Sequence, residues 1–271
     1  MKPKNLKEAL SGKLSEEEIK TITKSFDTVG SIAIIEVPEE HEKNSAVLAG
    51  AIMSVNKSIK TVLMKRGERE GEFRLRNYEY LAGEKTFETI HREHGCLFHV
   101  DVRKAYFSPR ESTERQRIAD AVSSGERVLV MFAGIGPFAI MIAKKAKANV
   151  TAVEINPEAA KLMGKNIKTN KVLVTPILGD VAYVCKGMVA DRILMPLPKH
   201  ADKFLDVAIG CIAKNGVVHY YTVSEEDTKK AENEVLEAAK RAGRGVKILA
   251  VRKVLPYSPR LWKICIDAEF K

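Results

Sequence analysis

Cysteine is scarce in this chain, and long apolar runs are missing from it. Four cysteines occur among 271 residues: Cys96, Cys185, Cys211 and Cys265. No two are close enough for a C-x-x-C pair, which argues against a zinc ribbon or a thioredoxin-type motif and leaves the thiols as small buried hydrophobes. No apolar run reaches the roughly 18–20 residues needed to span a bilayer, so no membrane association is expected. The N-terminal "MKPKNLKEALSGKLSEEE" lacks the apolar segment of a secretory signal, and a cytoplasmic location is the expectation. There is no internal repeat and no low-complexity segment. Metal ligands at convincing spacing are also lacking: His91 and His94 flank Glu93 on a strand or turn and read as surface or packing residues, so no metal is expected.

What is present suits a globular chain with a substantial core. Hydrophobic residues make up 45% and charged residues 30%, enough for one large domain or a small one plus a medium one. The formal charge is +10, and residues 240–271 hold nine Lys/Arg against two Asp/Glu. A basic balance favours a polyanionic partner, because each phosphate neutralised releases counterions. General solubility explains the same charge almost as well.

The pattern changes near Arg127. Before it, strands and helices mix without regular alternation, which predicts an α+β domain. Residues 5–22 read as one amphipathic helix or two short ones broken at Gly12. "SIAIIEVP" reads as a strand, "HEKNSAVLAGAIMSVN" as a helix, "KTVLMKRG" and "HGCLFHVDVRKAYF" as strands, and "EYLAGE" as a turn-rich link. After Arg127, strand-like runs alternate with helices that begin near Pro137, Pro157, Asp202 and Ser224. Alternation of this kind predicts a parallel sheet covered by helices on both faces. The last two strands, joined by "LPYSPR", predict an antiparallel hairpin at the sheet edge.

Within that second half, "RVLVMFAGIGPFAIMIAKKA" (Arg127 to Ala146) is an apolar strand, a tight turn carrying Gly134 and Gly136, and a helix opened by Pro137. First-turn N–H groups lack intrahelical partners, so such a turn is ready for an anion or a polar ligand. The next strand ends in Glu154, whose carboxylate can accept both hydroxyls of a ribose. Gly134, Gly136 and Ala139 satisfy a relaxed G-x-G-x-x-G/A pattern shared by nicotinamide enzymes and by AdoMet-dependent methyltransferases. Asp180, after the third strand, and Pro196 and Pro198, after the fourth, favour the second class. Two prolines make a stiff turn that presents acceptors, although simple strand termination also accounts for them.

Five further stretches make a resemblance specific: "YFSPRESTERQRIA", "MFAGIGPF", "VEINPEA", "ADRILMPLPKHADKFLD" and "GVVHYYT", in that order. Together they resemble the archaeal and eukaryotic tRNA (guanine-N1)-methyltransferases that modify the purine at position 37. "DTVGSIAIIEVP" and "HREHGCLFHVDVRKAYFSPR" are similar to that family's middle domain, so the resemblance spans nearly the whole chain. It implies an α/β fold: a Rossmann-like class I AdoMet-dependent methyltransferase domain over 118–271. A smaller α+β, tRNA-contacting domain over 1–105 would precede it, with 106–117 as a connecting segment. Aminocarboxypropyl transferases of the wybutosine pathway share the fold and the cofactor, but their glycine loop continues with His and they lack the proline turn.

The resemblance implies S-adenosyl-L-methionine as cofactor, held by Phe132, Gly134, Gly136, Phe138, Glu154 and Asp180. It implies Glu114 as the base that takes the N1 proton, Arg74 as the group that stabilises charge on O6, and Pro196 and Pro198 as the turn beside the target base. Tyr106, Arg110 and Lys199 would contact RNA, with Tyr106 stacking on a base. A monomer bound to the anticodon stem-loop is expected. Without the resemblance, Glu114 reads as an exposed helix glutamate paired with an arginine, and Arg74 and Arg76 as solvent-facing strand residues.

Three departures from the family pattern stand out. Val130 occupies a position usually held by Asp, and Pro196 one usually held by Asn. The resemblance also implies that the given sequence starts at the middle domain, the additional small N-terminal domain of many archaeal members being either naturally absent or trimmed away. These departures keep three alternatives open: aminocarboxypropyl transfer, methylation of a wyosine precursor at the same position, and an RNA-binding paralogue that holds AdoMet without catalysis.

Overall fold

The computed structural model describes residues 3–271, which divide into two compact units. The first runs through Glu93 and takes in Leu97–Pro109; the second holds His94–Cys96 and Arg110–Lys271.

The first unit opens with two short helices, α1 (Leu6–Leu10) and α2 (Glu16–Thr21). Gly12, at φ +75°, breaks them apart, and a reciprocal capping box between Ser15 and Glu18 restarts the second. A four-stranded sheet follows in the order β1 (Phe26–Val29), β2 (Ile32–Ile35), β3 (Thr61–Glu70), β4 (Leu75–Gly83). Only the β2–β3 pair is parallel. Helix α3 (Ser45–Val55) makes that crossover and buries Leu48 and Ile52 against Ile35, Val62 and Met64. The hairpin β5 (Glu88–Glu93) and β6 (Cys96–Asp101) forms a separate small sheet.

One expectation for this unit is corrected. "EYLAGE" is not a link between strands, because Glu79 to Gly83 continue β4 as the antiparallel partner of β3. Tyr78 and Tyr80 alternate along it, the pattern that suits a pleated surface.

The second unit opens on α4 (Ser112–Ala121), which starts inside the expected connecting segment. Its strands are β7 (Arg127–Val130), β8 (Asn149–Glu154), β9 (Val174–Leu178), β10 (Ala190–Met195), β11 (Ile212–Ser224), β12 (Val246–Ser258) and β13 (Leu261–Phe270). They make one seven-stranded sheet in the order β12-β13-β11-β10-β7-β8-β9. The five strands from β11 to β9 are parallel; β13 is antiparallel to both its neighbours. The predicted terminal hairpin therefore exists, with β13 inserted inside the sheet and β12 on the edge.

Its helices are α5 (Pro137–Ala146), α6 (Pro157–Asn170), the one-turn α7 (Val181–Val184), α8 (Leu205–Cys211) and α9 (Lys229–Arg241). Helix α9 starts at Lys229 rather than near Ser224. The antiparallel ladder with β13 holds β11 extended as far as Ser224, opposite Trp262. Strand order reverses between β7 and β10, which both begin runs in opposite directions. In such sheets the crevice beyond the carboxyl ends of the strands is where ligands bind.

Candidate active site

The glycine turn sits at that crevice, and the chain braces it from three sides. Met131 N–H donates to the Leu194 carbonyl and Ala133 N–H to the Val153 carbonyl, both at 2.9 Å, fastening the turn to strands on either side. Asn166, fully buried, donates from Nδ2 to the Ile135 carbonyl at 3.1 Å. Glu154 accepts from Gly134 N–H at 2.6 Å and from Asn156 N–H at 2.8 Å. Burial pushes the Glu154 carboxyl up, and the backbone donors work against that rise. Ile155 N–H is a third backbone donor to this carboxylate, and its four lone-pair sites leave room for a ligand hydroxyl besides.

The turn also demands its glycines. Gly134 has φ +57° and Gly136 φ +85°, a region open chiefly to residues without a Cβ. A Cβ on Gly136 would lie 2.9 Å from Met163 Cγ of α6. Phe132 adopts φ +55° despite its side chain, an uncommon geometry that marks functional loops.

The remaining cofactor candidates divide. Asp180 caps α7 by accepting from Ala182 N–H at 2.8 Å, in the loop after β9. Phe138 packs instead into the core: at 4% exposure, with its ring 6.0 Å from that of Tyr221, it offers no open face. Val130, one of the departures from the family pattern, is fully buried mid-sheet between Ala152 and Leu194.

Beyond β10, Leu197 N–H donates back to the Met195 carbonyl at 2.8 Å and closes a three-residue turn on Pro196. Pro198 is buried. The chain then passes an exposed Lys199, whose Nζ lies 5.3 Å from the centre of the Tyr257 ring. It turns at His200 (φ +69°) and brings the Phe204 ring edge-on to Phe132 at 5.0 Å. The proline turn and the glycine turn are thus packed together.

Glu114 is buried on α4 rather than exposed. Arg117 donates to it twice, from Nε at 2.8 Å and from Nη2 at 2.7 Å; Tyr221 Oη donates at 2.6 Å. Arg117 also reaches Asp267 at 2.8 Å, and Asp267 faces His219 Nδ1 at 2.6 Å. His219 Nε2 meets Arg192 Nη1 at 2.7 Å. A guanidinium can only donate, so Nε2 accepts and the imidazole proton sits on Nδ1, toward Asp267. Arg192 ends the chain on Glu126 at 2.7 Å. Burial holds the His219 ring below its ordinary range and raises the Tyr221 phenol. Burial opposes the Asp267 charge, yet bonds from His219 and Arg117 hold its carboxyl well below the usual range.

His219, Cys265 and Asp267 also converge within 4.8 Å, the one such triad among the described residues. Arg117 donates to Asp267 and lies 3.4 Å from Cys265, while Arg192 meets His219. Two cations already fill the positions a metal ion would need, so the cluster is an ion-pair network. Nothing in the sequence spacing announced this network, because its members come from α4, β10, β11 and β13. Asn166 was equally silent; Asn156, before Pro157, carried an ordinary helix-capping signal.

Three sequence candidates remain. Arg74 and Tyr106 belong to the first unit, where Arg74 ends the β3–β4 turn at φ +52°. Arg110 is exposed in a short 3-10 turn (Pro109–Glu111) ahead of α4.

Comparison with known proteins agrees with this geometry. Residues 89–249 match the family model described as the TRM5/TYW2 methyltransferase domain, and residues 6–86 match the TYW2 N-terminal domain. The chain is 46% identical over 246 residues to the tRNA (guanine(37)-N(1))-methyltransferase Trm5b of Pyrococcus abyssi, covering 90% of this chain and 74% of that one. A solved structure of that protein superposes with a TM-score of 0.88 at 44% identity, covering 95% of this chain and 78% of that one. The tRNA(Phe) (4-demethylwyosine(37)-C(7)) aminocarboxypropyltransferase of Pyrococcus horikoshii is 34% identical, covering 98% of this chain and 96% of that one.

Proposed function

The chain belongs to the TRM5/TYW2 methyltransferase family, and from that premise we propose that it transfers a methyl group from AdoMet to N1 of guanine 37 in tRNA. AdoMet supplies an electrophilic methyl on its sulfonium. The backbone of the Phe132–Gly136 turn would cradle its polar end, and Glu154 would accept from its ribose. The fit rests on the remaining acceptor capacity of Glu154 and on a turn whose glycines leave the backbone open to close approach.

Glu114 is the base: N1 gives its proton to the carboxylate as the N1–carbon bond forms, and the carbon–sulfur bond would break to leave a neutral thioether. Tyr221 and Arg117 aim that carboxylate. Pro196 fixes a rigid turn after β10, with no donor of its own. Arg74 and Tyr106 serve the RNA from the first unit, Arg74 by stabilising charge on O6. The target base must leave its stack to be reached. We further propose that the enzyme acts as a cytoplasmic monomer on the anticodon stem-loop. Among the described residues, no helix is long and apolar enough to cross a membrane.

The observation that carries this reading is the braced glycine turn at the carboxyl ends of the parallel strands, tied by Phe138 and Tyr221 to Glu114. The match of residues 6–86 to the TYW2 N-terminal domain favours a second reading, aminocarboxypropyl transfer at the same position. Methyl-labelled AdoMet offered to two transcripts, one with guanine and one with adenine at that position, separates these ideas. Label in the guanine transcript alone supports N1 methylation. Label in both or in neither counts against it.

A further inference from the structure

Outside the cofactor crevice, the most unusual charge arrangement is at the tip of the β3–β4 hairpin. Pairing passes from Arg66 opposite Asn77 to Glu70 opposite Leu75. Gly67, Glu68 and Arg69 therefore stand against Arg76 alone, a bulge with Gly67 at φ +62°. Bulges re-aim side chains and recur beside functional sites.

Here the bulge gathers cations. The Arg69 guanidinium lies 4.4 Å from the centre of the Tyr106 ring and donates to the Arg74 carbonyl at 3.3 Å. Burial disfavours the Arg69 charge most, and Arg76 and Arg74 are close enough to oppose it as well. The Tyr78 hydroxyl faces the same guanidinium. Arg76 Nε is buried without a hydrogen-bond partner. Among the described residues, neither Arg69 nor Arg76 is paired with a carboxylate. Nearby, Arg66 between Glu42 and Glu79 shows what a satisfied arginine on this hairpin looks like. Two guanidinium groups without a carboxylate partner, one of them with a buried orphan nitrogen, are an arrangement that an anion completes.

We propose that Arg69 and Arg76, with Tyr78 beside them, form a phosphate site for a single-stranded RNA nucleotide whose base stacks on Tyr106. The assignment rests on the reading that the chain acts on tRNA. The phosphodiester supplies acceptors in a plane that suits the guanidinium fork. Arg69 covers one side of Tyr106, which remains 37% exposed for a base.

The test is binding of a fluorescent anticodon stem-loop transcript to the full chain across a salt series. Arg76→Gln should weaken binding about tenfold at low salt and flatten the slope of log K against log salt by about 0.7–0.9, the loss of one phosphate contact. Arg69→Gln should do the same, and Arg76→Lys should restore most of the slope. AdoMet affinity should hold in all three and reports that they fold. Wild-type slope in Arg76→Gln and Arg69→Gln, or a loss of affinity with the slope unchanged, overturns the proposal, as does a wild-type chain that does not bind the transcript. Methyl transfer is measured separately. A chain that binds through this cluster yet transfers nothing refutes the enzymatic reading and leaves the phosphate site standing.

Discussion

Three donors converge on Glu114, two from Arg117 and one from Tyr221. Hydrogen bonds to a charged group are worth about 1.5–3 kcal/mol each, so these donors hold the carboxylate in one orientation. Arg117 is shared with Asp267, which ties that orientation to β13. Tyr221→Phe removes one of the three donors and should lower the rate of methyl transfer about tenfold while leaving AdoMet affinity unchanged. Single-turnover rates beside titration calorimetry decide the matter, and a wild-type rate in that variant would show that Tyr221 does not position Glu114.

At the scale of elements, the sequence exposed what is local and hid what is assembled. The strand, glycine turn and helix around Gly134 were legible because apolar periodicity, positive-φ glycines and a proline at the first helical position all act within a few residues. The terminal hairpin was legible for the same reason. The end of β11 was not: Ser224 looks like a helix cap, yet a ladder with Trp262 holds it in a strand. The burial of Glu114 was not legible, because α4 carries many charged residues and the burying partners lie more than 100 residues away. The glycine turn gives the sharpest test at this scale. Gly136→Ala puts a Cβ 2.9 Å from Met163 Cγ at a backbone angle of +85°. It should cost about 1–3 kcal/mol of stability and weaken AdoMet binding severalfold, measured by denaturant unfolding and titration calorimetry. Unchanged binding would detach this turn from the cofactor.

For the whole molecule, the buried His219 links stability to pH. Burial keeps its ring neutral below the ordinary value of 6.5, so the unfolded chain takes up a proton there that the folded chain does not. Stability should then fall as pH drops below about 6.5, by up to about 1.4 kcal/mol per pH unit from this one group. His219→Asn keeps a donor for Asp267 and should flatten the dependence of Tm on pH between 7 and 5; an unaltered dependence would show that His219 is charged when folded. The central claim concerns chemistry, and the mass of the product nucleoside tests it most directly. Guanosine 37 from tRNA treated with the chain and AdoMet should gain one methyl group on N1. A gain equal to an aminocarboxypropyl group, or a methyl found only on a premodified tricyclic base, would contradict the account.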